Sequence, residues 1–138
     1  MTSEEKALEK IRKVLIADPT IIQYCSTRVY ASHISSIVEP KYPAISLFMM
    51  SSRVLHPLDE IVNVRIQIDA WFPSSEYNTT DIFNCLERVR ALLHKQNLTD
   101  TLIGLVSYQS LQSESGPLMH EDETELFHLP SVFELVVK

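Results

Sequence analysis

Apolar and polar positions alternate strictly between Val62 and Phe72. Every second position of this segment carries an apolar side chain, in the order Val62, Val64, Ile66, Ile68, Ala70 and Phe72. A period of two is typical of a β-strand with one buried face, because successive side chains of a strand point to opposite faces. A helix would scatter the same residues around its circumference. The segment is therefore predicted as a central strand that fixes the register of its neighbours.

Helical spacing of apolar residues predicts a short pair of helices within residues 3–25. Thr2 and Glu5 form a capping box, and apolar residues then recur at helical spacing to about Ala17. The sequence Asp18-Pro19 ends this helix, because the residue before a proline avoids the helical region. Asp18 can then cap a second short helix that has the proline in its first turn.

A longer helix is predicted from about Thr79 to Lys95. Asn78, with Asp81 three residues on, is a plausible cap for its first turn, although Ser75 or Thr79 could serve instead. Its apolar stripe should cover one face of the sheet, and it consists of Ile82, Cys85, Leu86, Val89, Leu92 and Leu93.

The remaining strands are predicted from shorter apolar runs. Ala44–Met50 is read as a strand, Ser51–Glu60 as a turn or an extended hairpin arm, Leu102–Leu111 as a third strand and His128–Val137 as the last one. Arg28-Val29-Tyr30 is predicted to begin an extended stretch, which a polar loop follows to about residue 40. A long loop or mobile β-arm is expected at about 113–127.

These elements predict one α+β domain that spans residues 1–138. Its N-terminal helices occupy residues 3–25, and its sheet and helix core occupies residues 44–138. We expect a mostly antiparallel sheet of about four strands, with one long helix packed across it and the short N-terminal helix pair beside it.

Charge and composition narrow the classes of function. The chain has 12 basic and 18 acidic residues, a net charge of −6, and no cluster of lysines or arginines, which disfavours tight binding to nucleic acid. Its apolar runs are much shorter than a membrane span, and its polar N-terminus predicts no signal peptide, so we expect synthesis in the cytoplasm and no membrane partner. Cys25 and Cys85 are predicted to be free thiols.

No pattern of residues predicts a catalytic, cofactor or metal site. The chain has no Gly-x-Ser-x-Gly motif, and its 2 glycines cannot build a phosphate-binding loop. His120, with Glu121 and Asp122 beside it, could hold a cation, but a solvated acidic loop is the favoured interpretation. An enzyme is therefore the weaker hypothesis.

Candidate interface residues lie on or just after the polar face of the central strand. Trp71 and Tyr77 are large aromatic residues of the kind that anchor interfaces, although a second layer of the same chain could equally cover Trp71. Arg65 and Asp69 share that face and could form a site, or more simply a surface or interface ion pair. The long polar segment is commonly functional in small domains, and it contributes Glu121, Asp122 and Glu123.

Several short motifs resemble those of the tail-completion, or tail-terminator, proteins of long-tailed bacteriophages. The resemblance spans nearly the whole chain and is carried by an N-terminal helix ending in Ala17-Asp18, by Arg28-Val29-Tyr30, by Tyr42-Pro43-Ala44-Ile45, by the strand Ile66–Trp71, by the helix with Leu86, Val89, Arg90 and Leu93, and by a final strand introduced by His128.

The resemblance implies a virion protein that forms a hexameric ring on the head-proximal end of the tail tube. Such a ring stops tube polymerisation and contacts the connector proteins of the head and neck. Six copies would carry a net charge of about −36, so DNA could pass through the lumen without specific binding. The resemblance also suggests that the acidic residues 121–125 face the lumen or a partner ring.

Two other functions are compatible with the sequence. Within the same class, the protein could be a head-completion or stopper protein that docks on the portal side. From a different class, it could be a small cytoplasmic ligand-binding or enzymatic domain, for which a concave pocket and a monomeric state would be expected.

Overall fold

The computed structural model describes residues 1–31 and 40–138, which form three helices and six strands. In chain order these are α1 (Ser3–Ile16), α2 (Pro19–Cys25), β1 (Val29–Tyr30), β2 (Ala44–His56), β3 (Ile61–Pro73), α3 (Thr79–Leu93), β4 (Ser107–Ser115), β5 (Met119–Glu121) and β6 (Leu126–Val137).

The described strands form one sheet in the order β1-β2-β3-β6-β4, with β5 also paired to β6. All pairings are antiparallel except β1 with β2. β3 lies in the middle of the sheet, paired with β2 along one edge and with β6 along the other. Both the central position of this strand and the mostly antiparallel sheet are confirmed.

The helices cover one face of the sheet. The apolar residues of β3 join the buried faces of α1, α2 and α3 in a single hydrophobic core. The alternate residues of β3 face away from this core, on a surface of the sheet that we call the helix-free face. The largest fully buried side chains include Phe72, Phe133, Ile11, Leu15, Ile82 and Leu93.

Asp18 connects the N-terminal helices to α3. Its carboxylate accepts a hydrogen bond from the Ile21 backbone N–H and caps α2, as predicted. The same carboxylate accepts bonds from the Arg88 guanidinium, with Nη2 only 2.7 Å from Oδ1. The capping box between Thr2 and Glu5 is also present.

The structure corrects the number and lengths of the elements. The described residues contain six strands instead of about four. β1 has only 2 residues and lies in the extended stretch predicted at Arg28-Val29-Tyr30, whereas β5 has 3 residues and leaves no periodic signal. α1 has 14 residues and α3 has 15, so α1 is not a short helix beside one long one. The polar loop expected between residues 30 and 40 falls mostly on residues 32–39, outside the described residues.

The predicted third strand, Leu102–Leu111, is displaced in sequence. β4 begins only at Ser107, because Asp100 and Leu105 exchange backbone hydrogen bonds of 2.9 Å and close a turn. Gly104 adopts a positive φ of 69° in this turn, and Leu102 lies at its exposed tip. The apolar residues that suggested a strand thus belong to a turn.

The segment predicted as a long loop or mobile β-arm, about 113–127, contains more paired structure than a loop. Its first residues belong to β4, its middle to β5 and its last to β6. β5 and β6 form a hairpin in which Met119 pairs with His128 and Glu121 with Leu126. Of the two alternatives, the geometry is that of a β-arm.

Asp100 also holds the N-terminal helix against this turn. Its carboxylate lies 2.8 Å from Lys13 Nζ and 3.3 Å from Lys10 Nζ, and the bond from Lys13, more than any other contact, lowers the pKa of Asp100 to about 2. Because the folded-state pKa lies below the ordinary 3.8, the stabilisation is present above pH 3.8 and is lost as the pH falls towards 2.

Asp100→Asn is therefore expected to reduce the acid dependence of the free energy of unfolding. Urea titrations of wild type and variant across this pH window measure the difference. Glu87→Gln, at an exposed carboxylate of α3, is the matched control and should leave the acid dependence unchanged. Equal curves for wild type and Asp100→Asn would contradict the assignment.

Candidate assembly surfaces

Trp71 is buried on the helix-free face by residues of its own chain. Only 8% of the residue is exposed. The indole Nε1 donates a hydrogen bond of 3.0 Å to Ser46 Oγ on β2, and the ring stacks on His128 of β6 with 3.8 Å between centroids. These contacts come from the neighbouring strands β2 and β6 of the same sheet, and cover of Trp71 by a second layer of the chain stays a prediction. Its role as an interface anchor stays a prediction.

Asp69 lies beside Trp71 and is also buried. Gln67 Nε2 donates to both carboxylate oxygens, at 2.9 and 3.0 Å, and His128 Nε2 is 3.4 Å from Oδ2. The structure does not bring Arg65 and Asp69 together, since four residues along a strand span about 13 Å.

Arg65 instead faces two glutamates on the neighbouring strands. Its guanidinium lies 3.7 Å from Glu134 on β6 and 3.7 Å from Glu114 on β4. These side chains are partly exposed, so solvent screens the attraction and the group contributes little to stability. The three charges instead give the helix-free face a fixed polar band across β3, β6 and β4.

Tyr77 is half-buried in an aromatic cluster at the end of β3. Its ring meets Phe72 edge-on, with centroids 5.2 Å apart, and lies 6.4 Å from the ring of Tyr24 on α2. Most of its contact area therefore joins α2 to the sheet. A role in subunit contacts stays a prediction for its exposed part.

The acidic residues Glu121, Asp122 and Glu123 form the exposed turn of the β5–β6 hairpin. His120 ties this turn to the end of β3, with Nδ1 3.0 Å from Asp122 Oδ1 and Nε2 2.9 Å from Ser74 Oγ. The Ser74 backbone N–H also donates to the carbonyl oxygen of residue 125. Within residues 1–31 and 40–138, no group of three metal-ligating side chains is assembled.

The second half of β2 and the turn that follows it form an exposed arm at the side of the sheet, which we define as residues 49–60. All of its residues are exposed. It carries apolar side chains in spite of this exposure, with Val54 at 59% and Leu58, at the tip, at 90%. Of the two sequence interpretations of this segment, the extended arm is confirmed. The signal was the run of apolar residues on both sides of His56-Pro57.

The outer edge of β4 is closed by the segment that follows α3. The Lys95 backbone N–H donates to the Ser110 carbonyl, His94 Nδ1 accepts from the Gln112 N–H, and Thr99 Oγ1 accepts from the Ser107 N–H. Such capping prevents another strand from pairing with the edge. Sequence reasoning missed it, because its partners are distant in sequence.

A groove of about 490 Å³ lies between that segment and β4. Ser110 is only 1% exposed. Its hydroxyl and the buried hydroxyl of Ser107 both lack a hydrogen-bond partner among the described residues. Lys95 supplies a positive charge. Main lining residues are Lys95, Asn97, Ser107, Tyr108, Ser110 and Leu111.

Cys25 and Cys85 are free thiols that lie buried in the core, as predicted. The neighbouring Cys25 thiol, by hydrogen bonding, and burial both raise the pKa of Cys85. The Cys85 thiol is therefore protonated at neutral pH.

None of the helices in the described part of the chain combines the length and the hydropathy that a bilayer crossing requires.

The fold of this chain is found in a solved virion. A chain of the structure titled "Virion of native gene transfer agent (GTA) particle" matches with a TM-score of 0.70, over 94% of this chain and 92% of that chain. The two chains share a fold. They are 10% identical, so the likeness is one of architecture and not of individual side chains. No protein-family model and no curated protein matches the chain.

Proposed function

We propose that this protein is a structural component of the virion of a phage or phage-like particle. The observation that carries the proposal is the shared fold with a chain of a gene transfer agent virion, which extends over almost the full length of both chains. The tail-terminator motifs of the sequence support the same class of function independently.

Within that class, we assign the protein to a hexameric ring that caps the tail tube and joins it to the head connector. The exposed arm and the tethered acidic turn give one subunit two surfaces suited to contacts with other chains. The net charge of −6 on each copy favours a lumen through which DNA passes without adhering.

The assignment is structural and not enzymatic. Asp69 and His128, which face each other on the helix-free face, are largely buried among Gln67 and Trp71. Arg65 is engaged by its two glutamates. The contacts of Asp69 and His128 give these two groups a role in holding the sheet together.

Mass in solution and electron microscopy test the proposed function directly. We expect sixfold rings that bind one end of purified tail tubes. A protein that stays monomeric at every concentration and does not bind tubes would refute the proposal. Rings or monomers that bind the portal side and not the tube would instead identify the stopper protein.

A further inference from the structure

We propose that the tip of the arm of one subunit inserts into the groove beside β4 of the next subunit. The proposal rests on the ring described above and names the contact that builds it. Its occupant is a second copy of this chain: Leu58, with Asp59 and Glu60 beside it, enters the groove that Lys95 and Tyr108 border.

The tip has the properties of an inserted side chain. Leu58 is 90% exposed and projects from a turn between two paired strands. Burying so exposed a leucine against another chain would stabilise an interface, because its apolar surface leaves water. The two carboxylates that follow it make the tip acidic.

The groove is complementary in shape and in charge. Its volume of about 490 Å³ accommodates a leucine side chain and the adjoining backbone. Lys95 stands on its border, opposite in charge to Glu60, and no acidic residue is among those that line it.

The positions of tip and groove suit a head-to-tail contact. Val54 of the arm, Val62, Val137 and Ser107 lie in one row across four strands, so arm and groove flank opposite edges of the same sheet. Because two different surfaces meet, the contact is heterologous. Such contacts form a closed ring when the rotation that relates one subunit to the next adds up to a full turn.

The tip lies a few residues beyond that row. Neighbouring copies must therefore be displaced along their strands by a few residues. The capping of the β4 edge by Lys95 and Thr99 excludes a continuous intersubunit ladder there. Side chains, and not backbone pairing, must then join the subunits.

Disulfide trapping tests the contact with the full chain. Leu58→Cys and Tyr108→Cys are prepared as single variants, which is practical because both native cysteines are buried. Under mild oxidation we expect covalent dimers only when the two variants are mixed. The double variant Leu58→Cys/Tyr108→Cys should give a ladder that ends at a covalent hexamer. Leu58→Cys mixed with Phe83→Cys, at an exposed position of α3, is the control and should not cross-link.

A charge exchange tests the same contact without cysteine chemistry. Lys95→Glu and Glu60→Lys should each raise the protein concentration needed for ring formation at least tenfold. The double variant should return this concentration to that of wild type. Lys41→Glu, at an exposed lysine outside both surfaces, should assemble like wild type.

Separate outcomes overturn the contact and the proposed function. Rings that form normally but do not cross-link between positions 58 and 108 would contradict the contact and would still support the proposed ring. Dimers of Leu58→Cys with itself would also overturn it, since they show tip-to-tip pairing. A protein that never assembles overturns both.

Discussion

Replacing Trp71 with alanine is expected to lower the free energy of unfolding by about 3–5 kcal/mol. The indole is almost fully buried, stacks on His128, and donates to Ser46. Alanine removes the stacked ring and leaves a cavity between β2 and β6. Because a domain of this kind is stable by only about 5–15 kcal/mol, the variant should melt at a clearly lower temperature. Thermal and urea denaturation of the monomer measure the loss.

Trp71→Phe separates the ring from the hydrogen bond. Phenylalanine keeps most of the stacked surface but leaves Ser46 Oγ buried without its donor, so we expect a loss of about 1–2 kcal/mol. If Trp71→Ala unfolds like wild type but no longer forms rings, Trp71 anchors a subunit interface, and its contacts within the chain are secondary.

Replacing Asp18 with alanine is expected to cost about 2–3 kcal/mol of stability. About 1 kcal/mol arises from the lost cap of α2. The rest comes from the charge-assisted bonds to Arg88, reduced because the guanidinium is partly exposed and solvent screens it. Urea denaturation at neutral pH measures the total. A loss below 0.5 kcal/mol, the order of an ordinary surface substitution, would contradict the role given to this carboxylate.

Asp18→Asn tests the part of this stabilisation that depends on the charge of the carboxylate. The amide oxygen can still accept from the Ile21 N–H, so the cap remains while the ion pair is lost. Hydrogen bonding from Arg88 lowers the pKa of Asp18 below 3.8, so its contribution is present above that pH and is lost on acidification. Asp18→Asn should lack this acid-dependent part.

The elements that the sequence predicted well carry a strong local signal. β3 alternates over eleven residues and pairs on both edges, so its pattern reports its central position directly. α3 was predicted from Thr79 to Lys95 and ends at Leu93. Each capping box spans only four residues of the sequence. The sequence alone could therefore indicate Thr2 and Asn78 as helix caps.

The elements that were missed depend on contacts between distant residues. β4 is an edge strand whose exposed positions are polar, such as Gln109 and Glu114, so it lacks the apolar alternation that marks a strand. β2 was predicted to end at Met50, yet it continues to His56 because β3 supplies its hydrogen bonds where no core lies beneath it.

The candidate surfaces were predictable only in part. Trp71, Arg65 and Asp69 were placed correctly on one face of β3, because a period of two assigns faces. The partners of these side chains could not be predicted from the sequence. His128 and Glu134 belong to β6, and only the register between β3 and β6 places them beside these residues. The groove is likewise formed by a segment that folds back on β4.

The hydrogen bonds that β4 makes with Lys95, His94 and Thr99 have a consequence for the behaviour of concentrated protein. An uncapped edge strand here would be a template for cross-β stacking, in which further chains can add without limit. One carbonyl and two amides of this edge are already occupied, which makes it a poorer template for such stacking than a bare strand.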